Sequence, residues 1–486
     1  MAQFRIPNRD QLLMLETVDL NSIAPVGSAV YTIDKIVNSL DTSDIENKYD
    51  IKDPMGRPPF HPKTLIKVGL YALHNCRFST RKMEQDTRYN LCYKYLTGNE
   101  VIDHTTFAKF FTNYTDYVTE LFSQTALICK EKNLIEFEIL GIDTEKVKAD
   151  ASYKQTKSLD NIQKDIDKIK KNLKKLLEKA DEVDEAETKA LEKRLDKIKS
   201  AEKILKERLN EKCKDKKEPE IKEILKKTKV NITDPDGSVM SQANGEHNVM
   251  YAVTTTTDTK DDIITGFVVK GEANDNAVLF PAIEESEANI GSGHEHIVAD
   301  SGFGSYENFE EGKRRELDLL IPDKRKEVEE KGKTSKGEYD RSHFEYNKEK
   351  DNYRCPTSNI LEMEREIIGR DGREKIIYSN DSACGRCKVK NLCTKSENGG
   401  RKIIRDANEE IKDEMRKKLN SEEGKENYVK RAHSAESPYG DMKHNKKFRG
   451  FMRRGIAKVS MECSLIFMLH NILKLSEVLL KSTLFG

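Results

Sequence analysis

The sequence predicts an α/β protein, a layered core of strands and helices preceded by a helical module. Three observations carry this reading. Apolar strand-like segments are interleaved with helical ones between residues 134 and 335, and two of these strands run into an aspartate, Asp143 and Asp300. A Lys/Glu/Leu-rich stretch at 154–228 carries a heptad pattern foreign to its surroundings. Residues 1–130 show helical spacing punctuated by capping residues.

At 486 residues the chain is expected to form two to four compact units. Charged residues make up 35%, with 85 basic against 85 acidic, so any basic surface must arise from local segregation. The N-terminus "MAQFRIPNRDQLLMLETVDL" lacks the pattern of a secretory signal, and the chain is expected to stay in the cytosol. The apolar C-terminal segment "VSMECSLIFMLHNILKLSEVLL" is broken by Glu462, His470, Asn471, Lys474 and Glu477; it reads as a buried helix and not a membrane span. Nine cysteines in such a chain argue against a disulfide framework.

In the N-terminal module, "PKTLIKVGLYALHNC" is followed by "STRKMEQDTRYNLCYKYLTG", where Ser79 or Thr80 would cap a helix bearing Arg81, Lys82 and Arg88. A further helix begins at "DHTTFAKFF", with Asp103 or Thr105 as cap. Short helices joined by tight turns and carrying basic side chains suit DNA docking, and equally suit a bundle with a solvated charged face.

The pattern then changes. "LIEFEILGID" reads as a strand ending on Asp143. Ile162, Ile166, Ile169, Leu173 and Leu176 form one heptad seam, and Leu191, Leu195, Ile198, Leu205 and Leu209 a second. The polar "KADEVDEAETKA" between them permits a turn, which predicts an antiparallel helical hairpin; pairing of the seams between chains is the alternative. Sheet signals return at "NVMYAVTTTTD", "DIITGFVVKG" and "HEHIVAD", the last ending on Asp300 before the turn "SGFGS". Residues 340–405 read as loop-rich and hold four cysteines, and 406–482 as largely helical.

Within that last part lies "YVKRAHSAESPYGDMKHNKKFRGF" at 428–451, where Glu436 sits among Lys430, Arg431, Lys443, Lys446, Lys447 and Arg449. A basic run is a footprint for a polyanion, which a carboxylate there would repel unless a bound cation reverses the sign. Asp143, Asp300 and Glu436 could gather around Mg²⁺ or Mn²⁺, hard cations that take carboxylate oxygens and support phosphoryl displacement.

The sequence resembles insertion-sequence transposases of the DDE class over nearly its whole length outside 154–228. The resemblance rests on "DPMGRPPFHPKTLIKVGLYA", "STRKMEQDTRYN" and "YLTGNEVIDHTTFAKF", then "GIDTEKVKADAS", "ITDPDGSVM", "HNVMYAV", the "ND" of 274–275 and "VADSGFGS", and finally "YVKRAHSAESPYGDMK" with "FRGFMRRG". It implies a ribonuclease H-like catalytic core and the catalytic, metal-holding set Asp143, Asp300 and Glu436. Asp150 of "KADAS" is a rival first ligand, since the usual Asp-Gly-Thr is here Asp143-Thr144-Glu145; Asp143 is favoured because the following residues then fall into register with the family. Tyr428, Arg431 and Lys443 match the remaining signature positions. Pro438, two residues past Glu436, would disturb a continuous helix unless it lies in a first turn.

The cysteines Cys355, Cys384, Cys387 and Cys393 supply four thiols that could hold a structural Zn²⁺, against the alternative of free or partly buried cysteines. The expected organisation is a helical DNA-binding domain at 1–130, a catalytic core from 134–153 and 229–335, a charged coiled-coil hairpin at 154–228, a cysteine-containing insertion at 336–405 and a helical part at 406–486 completing the core. The expected activity is Mg²⁺- or Mn²⁺-dependent cleavage and 3′-hydroxyl joining of double-stranded DNA, at element ends and target, by a nucleoid-associated homodimer. Arg81, Lys82, Arg88, Tyr428, Arg431, Lys443, Lys447, Arg449 and Arg453 are the expected DNA contacts. The alternative is a catalytically inactive, domesticated DNA-binding derivative.

Overall fold

The architecture comes from a computed structural model that describes residues 19–48, 58–178, 185–214, 218–242, 245–272, 275–323, 339–369, 372–397, 399–406 and 408–485. The side chains of 177–178, 275, 342, 432–437 and 478–485 lie outside this description. The chain divides into two compact units, one comprising Met1–Ile128, His444–Phe448 and Ala457–Gly486, the other Cys129–Lys443 and Arg449–Ile456.

The first unit is helical: α1 (Ala29–Ser39), α2 (Ser43–Asn47), α3 (Pro62–His74), α4 (Thr80–Tyr89), α5 (Leu91–Thr97), α6 (His104–Asn113) and most of α7 (Thr115–Glu131). Helix starts follow their capping chemistry. Asp103 accepts from the Thr105 amide at 2.7 Å to open α6, and Pro62 occupies the first turn of α3 behind the cap His61. Asp34 of α1 pairs with Lys67 of α3 at 2.7 Å and accepts from the Tyr95 hydroxyl at 3.1 Å. The long C-terminal helix Ile456–Phe485 completes this unit, its Ser464 hydroxyl donating to the Val118 carbonyl at 3.2 Å. Residues 457–486, expected with the catalytic core, thus group with the N-terminal helices. Their near-continuous apolar surface is covered, with Met461, Leu465, Phe467, Leu469 and Ile472 buried. By length and composition Ile456–Glu477 could cross a membrane, yet 72% of its most apolar window is buried inside the fold, as the broken apolar pattern predicts.

The second unit is built on β1 (Ile139–Lys148), which pairs antiparallel with β5 (His247–Asp258) and parallel with β7 (His296–Ala299). Before β5 come β2 (Thr156–Lys157), β3 (Val230–Asn231) and β4 (Ser238–Ser241); β6 (Ile263–Lys270) precedes β7 and β8 (Leu319–Leu320) follows it. The main sheet runs β4-β5-β1-β7-β8, with β6 also paired to β5. Strand β1 does not stop at Asp143. Its ladder with β5 continues to Lys148 opposite Met250, and only the run of burial ends at Ile142.

Side-chain alternation divides the sheet into two faces. Leu140, Ile142, Ile297, Ala299 and Leu319 pack against Leu279 and Ile283 of α11 (Leu279–Ile290) and Phe309 of α12 (Tyr306–Arg314). Gly266 of β6 lets α11 approach, since a Cβ there would stand 2.9 Å from the Ser286 amide nitrogen. Ile139, Val298 and Leu320 point the other way, toward Leu419 of α15 (Glu410–Asn420) and Tyr428 of α16 (Glu422–Gly440).

Between β2 and β3 the chain leaves as α8 (Leu159–Glu178), α9 (Glu185–Cys213) and α10 (Glu218–Lys227). Ile162, Ile166 and Ile169 pack on Ile198, Ala201, Leu205 and Leu209, so the two seams meet within one chain. The excursion begins and ends at one place, with Thr156 opposite Asn231.

Residues 340–405, expected to be loop-rich, contain a five-stranded antiparallel sheet: β9 (Glu345–Asn347), β10 (Asn352–Arg354), β11 (Ile360–Ile368), β12 (Glu374–Ser379) and β13 (Ile403–Asp406). Charged residues on its exposed positions, as in "ILEMEREII", hide the apolar alternation. Two one-turn helices, α13 (Asp381–Gly385) and α14 (Lys390–Cys393), lie between β12 and β13.

Candidate active site

Asp143 and Asp300 are brought together by strand register. The parallel pairing of β1 and β7 ends at Ile142 opposite Ala299, and the next residue on each strand is an aspartate. Counting alternation from Ile139 and Val298, both carboxylates fall on the face covered by α16. Asp300 is extended and accepts from the Gly302 amide at 2.8 Å, which fixes its carboxylate at the turn.

Electrostatics agree with this proximity. Burial pushes the Asp143 carboxyl up to about 6, with the charge of Asp300 adding to the rise while Arg431 opposes it. Arg431 reaches across from α16, its Nη2 standing 3.5 Å from Asp143 Oδ1. One further ion pair ties the same region together, Lys443 Nζ to Glu145 Oε2 at 2.6 Å. The Tyr439 hydroxyl donates to the Val253 carbonyl at 2.7 Å and lies 3.5 Å from the Asp143 carbonyl.

Glu436 lies in α16, three residues before Tyr439 and so about one turn from it. Its side chain lies outside the described residues. Pro438 stands inside α16 and not in a first turn; the helix runs on to Gly440 and passes into a π-helical turn at Asp441–Asn445. The proline cannot supply its amide to the i−4 carbonyl, which is a physical reason for the altered winding just beyond it.

Asp150 lies elsewhere. It follows β1 by two residues and pairs with Arg454 at 2.9 Å, seven residues or roughly 23 Å along the chain from Asp143. Of the expected DNA contacts, Arg81, Lys82 and Arg88 are exposed on α4, Arg88 pairing with Glu84 at 3.3 Å. Lys447 and Arg449 are exposed and Arg453 is half-buried. Tyr428 packs against the apolar cluster of Ile139, Val298, Leu320 and Leu419. Its role in packing was not legible from the basic run around it.

Sequence reasoning also missed Glu145 and Tyr439. Glu145 is two residues from Asp143 and therefore on the same face of β1, a signal the alternation rule makes readable. Among the described residues, three ligating side chains lie within 4.8 Å of one another only at Glu84, Asp103 and His104. That group is accounted for by helix capping, since Glu84 accepts from the His104 amide at 3.2 Å and its ring nitrogen stands 2.8 Å away. Cys355, Cys384, Cys387 and Cys393 all line one small cavity beside the second sheet.

Two families match the chain: "Transposase DDE domain" over residues 354–476 and "Transposase domain (DUF772)" over residues 18–113. The first stretch includes the four cysteines, Arg431 and Glu436, and the second includes α4; Asp143 and Asp300 lie outside both. No curated protein matches the chain.

Proposed function

From two matches that together indicate an insertion-sequence DDE transposase, we propose that this chain binds element ends, cuts a DNA strand with the help of divalent metal and joins the freed 3′-hydroxyl to target DNA. The observation that carries the chemistry is the placement of Asp143 and Asp300 side by side at the ends of a parallel strand pair, under the helix that bears Arg431 and Glu436. The strand order β5-β1-β7-β8, antiparallel on one side of β1 and parallel on the other, supports the ribonuclease H-like reading.

The residues fit a hard cation. Their donors are carboxylate oxygens, and an Asp143 carboxyl raised to about 6 by burial and by Asp300 is a group that a nearby positive charge would stabilise in its ionised form. Asp143, Asp300 and Glu436 would hold the metal. When bound, Mg²⁺ or Mn²⁺ supplies activation of the attacking oxygen and neutralisation of the charge that develops on the phosphate.

The chain's own groups have separate tasks. Gly302 holds the Asp300 carboxylate in one orientation by its amide. Arg431 supplies positive charge beside Asp143 and stands ready for the phosphate of the strand being cut. Lys443, anchored on Glu145, fixes the π-helical turn that follows α16 relative to β1. Exposed Arg81, Lys82, Arg88, Lys447 and Arg449 position the duplex through phosphates, contacts that set register without reading sequence.

The test is strand cleavage on DNA that carries the sequences flanking the gene, in Mg²⁺. The wild type and Asp150→Asn should cut. Asp143→Asn, Asp300→Asn and Glu436→Gln should each lose more than about 10²-fold, since even residues behind a metal's direct ligands cost 10–100-fold. Their binding to the same DNA should persist, because phosphate contacts are a separate contribution. A wild type that binds these ends and never cuts would favour the domesticated reading.

A further inference from the structure

We propose that Cys355, Cys384, Cys387 and Cys393 form a structural site for one thiophilic, tetrahedral cation, with Zn²⁺ as its natural occupant. This is independent of the DNA chemistry.

Four thiols that stand 29, 3 and 6 residues apart in sequence line the same cavity, of about 30 Å³. That is room enough for a particle the size of a water molecule or a metal ion. The cysteines come from three separate places. Cys355 sits in the turn between β10 and β11, Cys384 and Cys387 in and just after α13, and Cys393 at the end of α14. Nothing in the secondary structure alone requires them to converge.

The local backbone is shaped for sulfur ligands. Around Cys355 the chain turns tightly: the Ser358 amide donates to the Cys355 carbonyl at 2.8 Å, with Ser358 in the left-handed region at φ 64°. This aims the Asn359 amide at the Cys355 sulfur, 3.3 Å away, a donor that would stabilise a thiolate. At Cys384-x-x-Cys387 the second amide returns to the first carbonyl at 3.2 Å, so the two side chains leave one turn. Gly400 closes against the same group, for a Cβ there would stand 2.9 Å from the Cys384 sulfur.

The segment also needs a staple. Among the described residues between 381 and 399 none is buried, and α13 and α14 bury no side chain at all. The neighbouring apolar cluster is small, Phe344, Tyr353, Leu361, Tyr378 and Ile403, with Cys355 and Cys393 at its rim. Small units that cannot bury a core of their own are held by disulfides or metal. None of the four cysteines is joined in a disulfide. No three of the sulfurs lie within 4.8 Å of one another, so binding would draw the loops inward around the ion.

The acidic pair and the cysteines differ in ligand chemistry, which makes the test specific. The full chain, stripped of metal under reducing conditions, is titrated with Co²⁺. Thiolate ligation gives intense sulfur-to-cobalt charge-transfer absorption in the near ultraviolet and the visible bands of a tetrahedral ion. The expected result is saturation near one equivalent, loss of the bands on adding Zn²⁺, and persistence of the bands in Asp143→Asn. Cys384→Ser/Cys387→Ser should lose them, whereas Cys76→Ser/Cys92→Ser should keep them. The wild-type titration decides the matter even if the double variant fails to fold. Absence of charge-transfer bands in the reduced wild type, or bands unchanged in a folded Cys384→Ser/Cys387→Ser protein, would overturn the assignment. So would a thiol count showing these four cysteines paired as disulfides in the protein as purified.

Discussion

Asp143 and Asp300 stand side by side because each directly follows a register partner, Ile142 and Ala299, in the parallel pairing of β1 with β7. Two acids 157 residues apart are thereby set at the edge of a buried core, on the face over which α16 passes. The arrangement costs stability. Charge is held where burial opposes it, and burial accordingly raises the Asp143 carboxyl to about 6.

A pH dependence follows. The folded-state value of Asp143 lies above the unfolded value of 3.8, so the fold favours the protonated form. This group's contribution to stability is fully present below 3.8 and is lost as pH rises through about 6. Denaturant unfolding without divalent metal should find Asp143→Asn more stable than wild type at pH 7, by on the order of 1–3 kcal/mol, with the gap closing toward pH 4. An Asp143→Asn protein destabilised equally at both pH values would show that the carboxyl is not under the strain described. Metal affinity should rise as pH increases through about 6, because the ligand must lose its proton first.

The helical excursion should be dispensable for the core. It leaves after β2 and returns at β3, with Thr156 opposite Asn231, and its seams close on each other within the chain. Replacing 158–229 by a short Gly/Ser linker should give a protein that folds and has the same oligomeric state by light scattering. A change of state on deletion would mean that the seams, or the outer faces of α8 and α9, pair between molecules.

Binding of DNA should weaken steeply with salt. Replacing Arg81, Lys82 and Arg88 together should lower the slope of log K against log salt by about 2–3, the release expected from three lost phosphate contacts. An unchanged slope would remove α4 from the docking surface and leave the exposed Lys447 and Arg449 as the candidates.

Much of this arrangement is legible in the sequence where local pattern and tertiary demand coincide. The heptad seams of 159–209 report their own packing, and "HEHIVAD" shows both a strand and the acid that ends it. The end of β1 was not legible, because Glu145 and Lys146 look like loop residues until β5 is known to run alongside as far as Met250. The second sheet was hidden for a related reason: its strands carry charged residues on exposed positions, and a few residues, Tyr353, Leu361, Tyr378 and Ile403, mark the buried side. Tyr428 reads as part of a basic signature, and its packing on Ile139 and Val298 depends on a helix returning nearly 300 residues later in the chain. No periodicity carries such information.

The most direct measurement is Mn²⁺ binding, followed by the loss of the free ion's paramagnetic resonance signal, at pH 7.5 in the full chain and its variants. Hard Mn²⁺ reports on carboxylate oxygens and leaves the thiols aside. If Asp143 and Asp300 are the metal-holding pair, the wild type and Asp150→Asn should bind Mn²⁺ alike, and Asp143→Asn and Asp300→Asn should each bind at least about 10-fold more weakly. Equal Mn²⁺ affinity in wild type, Asp143→Asn and Asp300→Asn, or a loss confined to Asp150→Asn, would contradict the account.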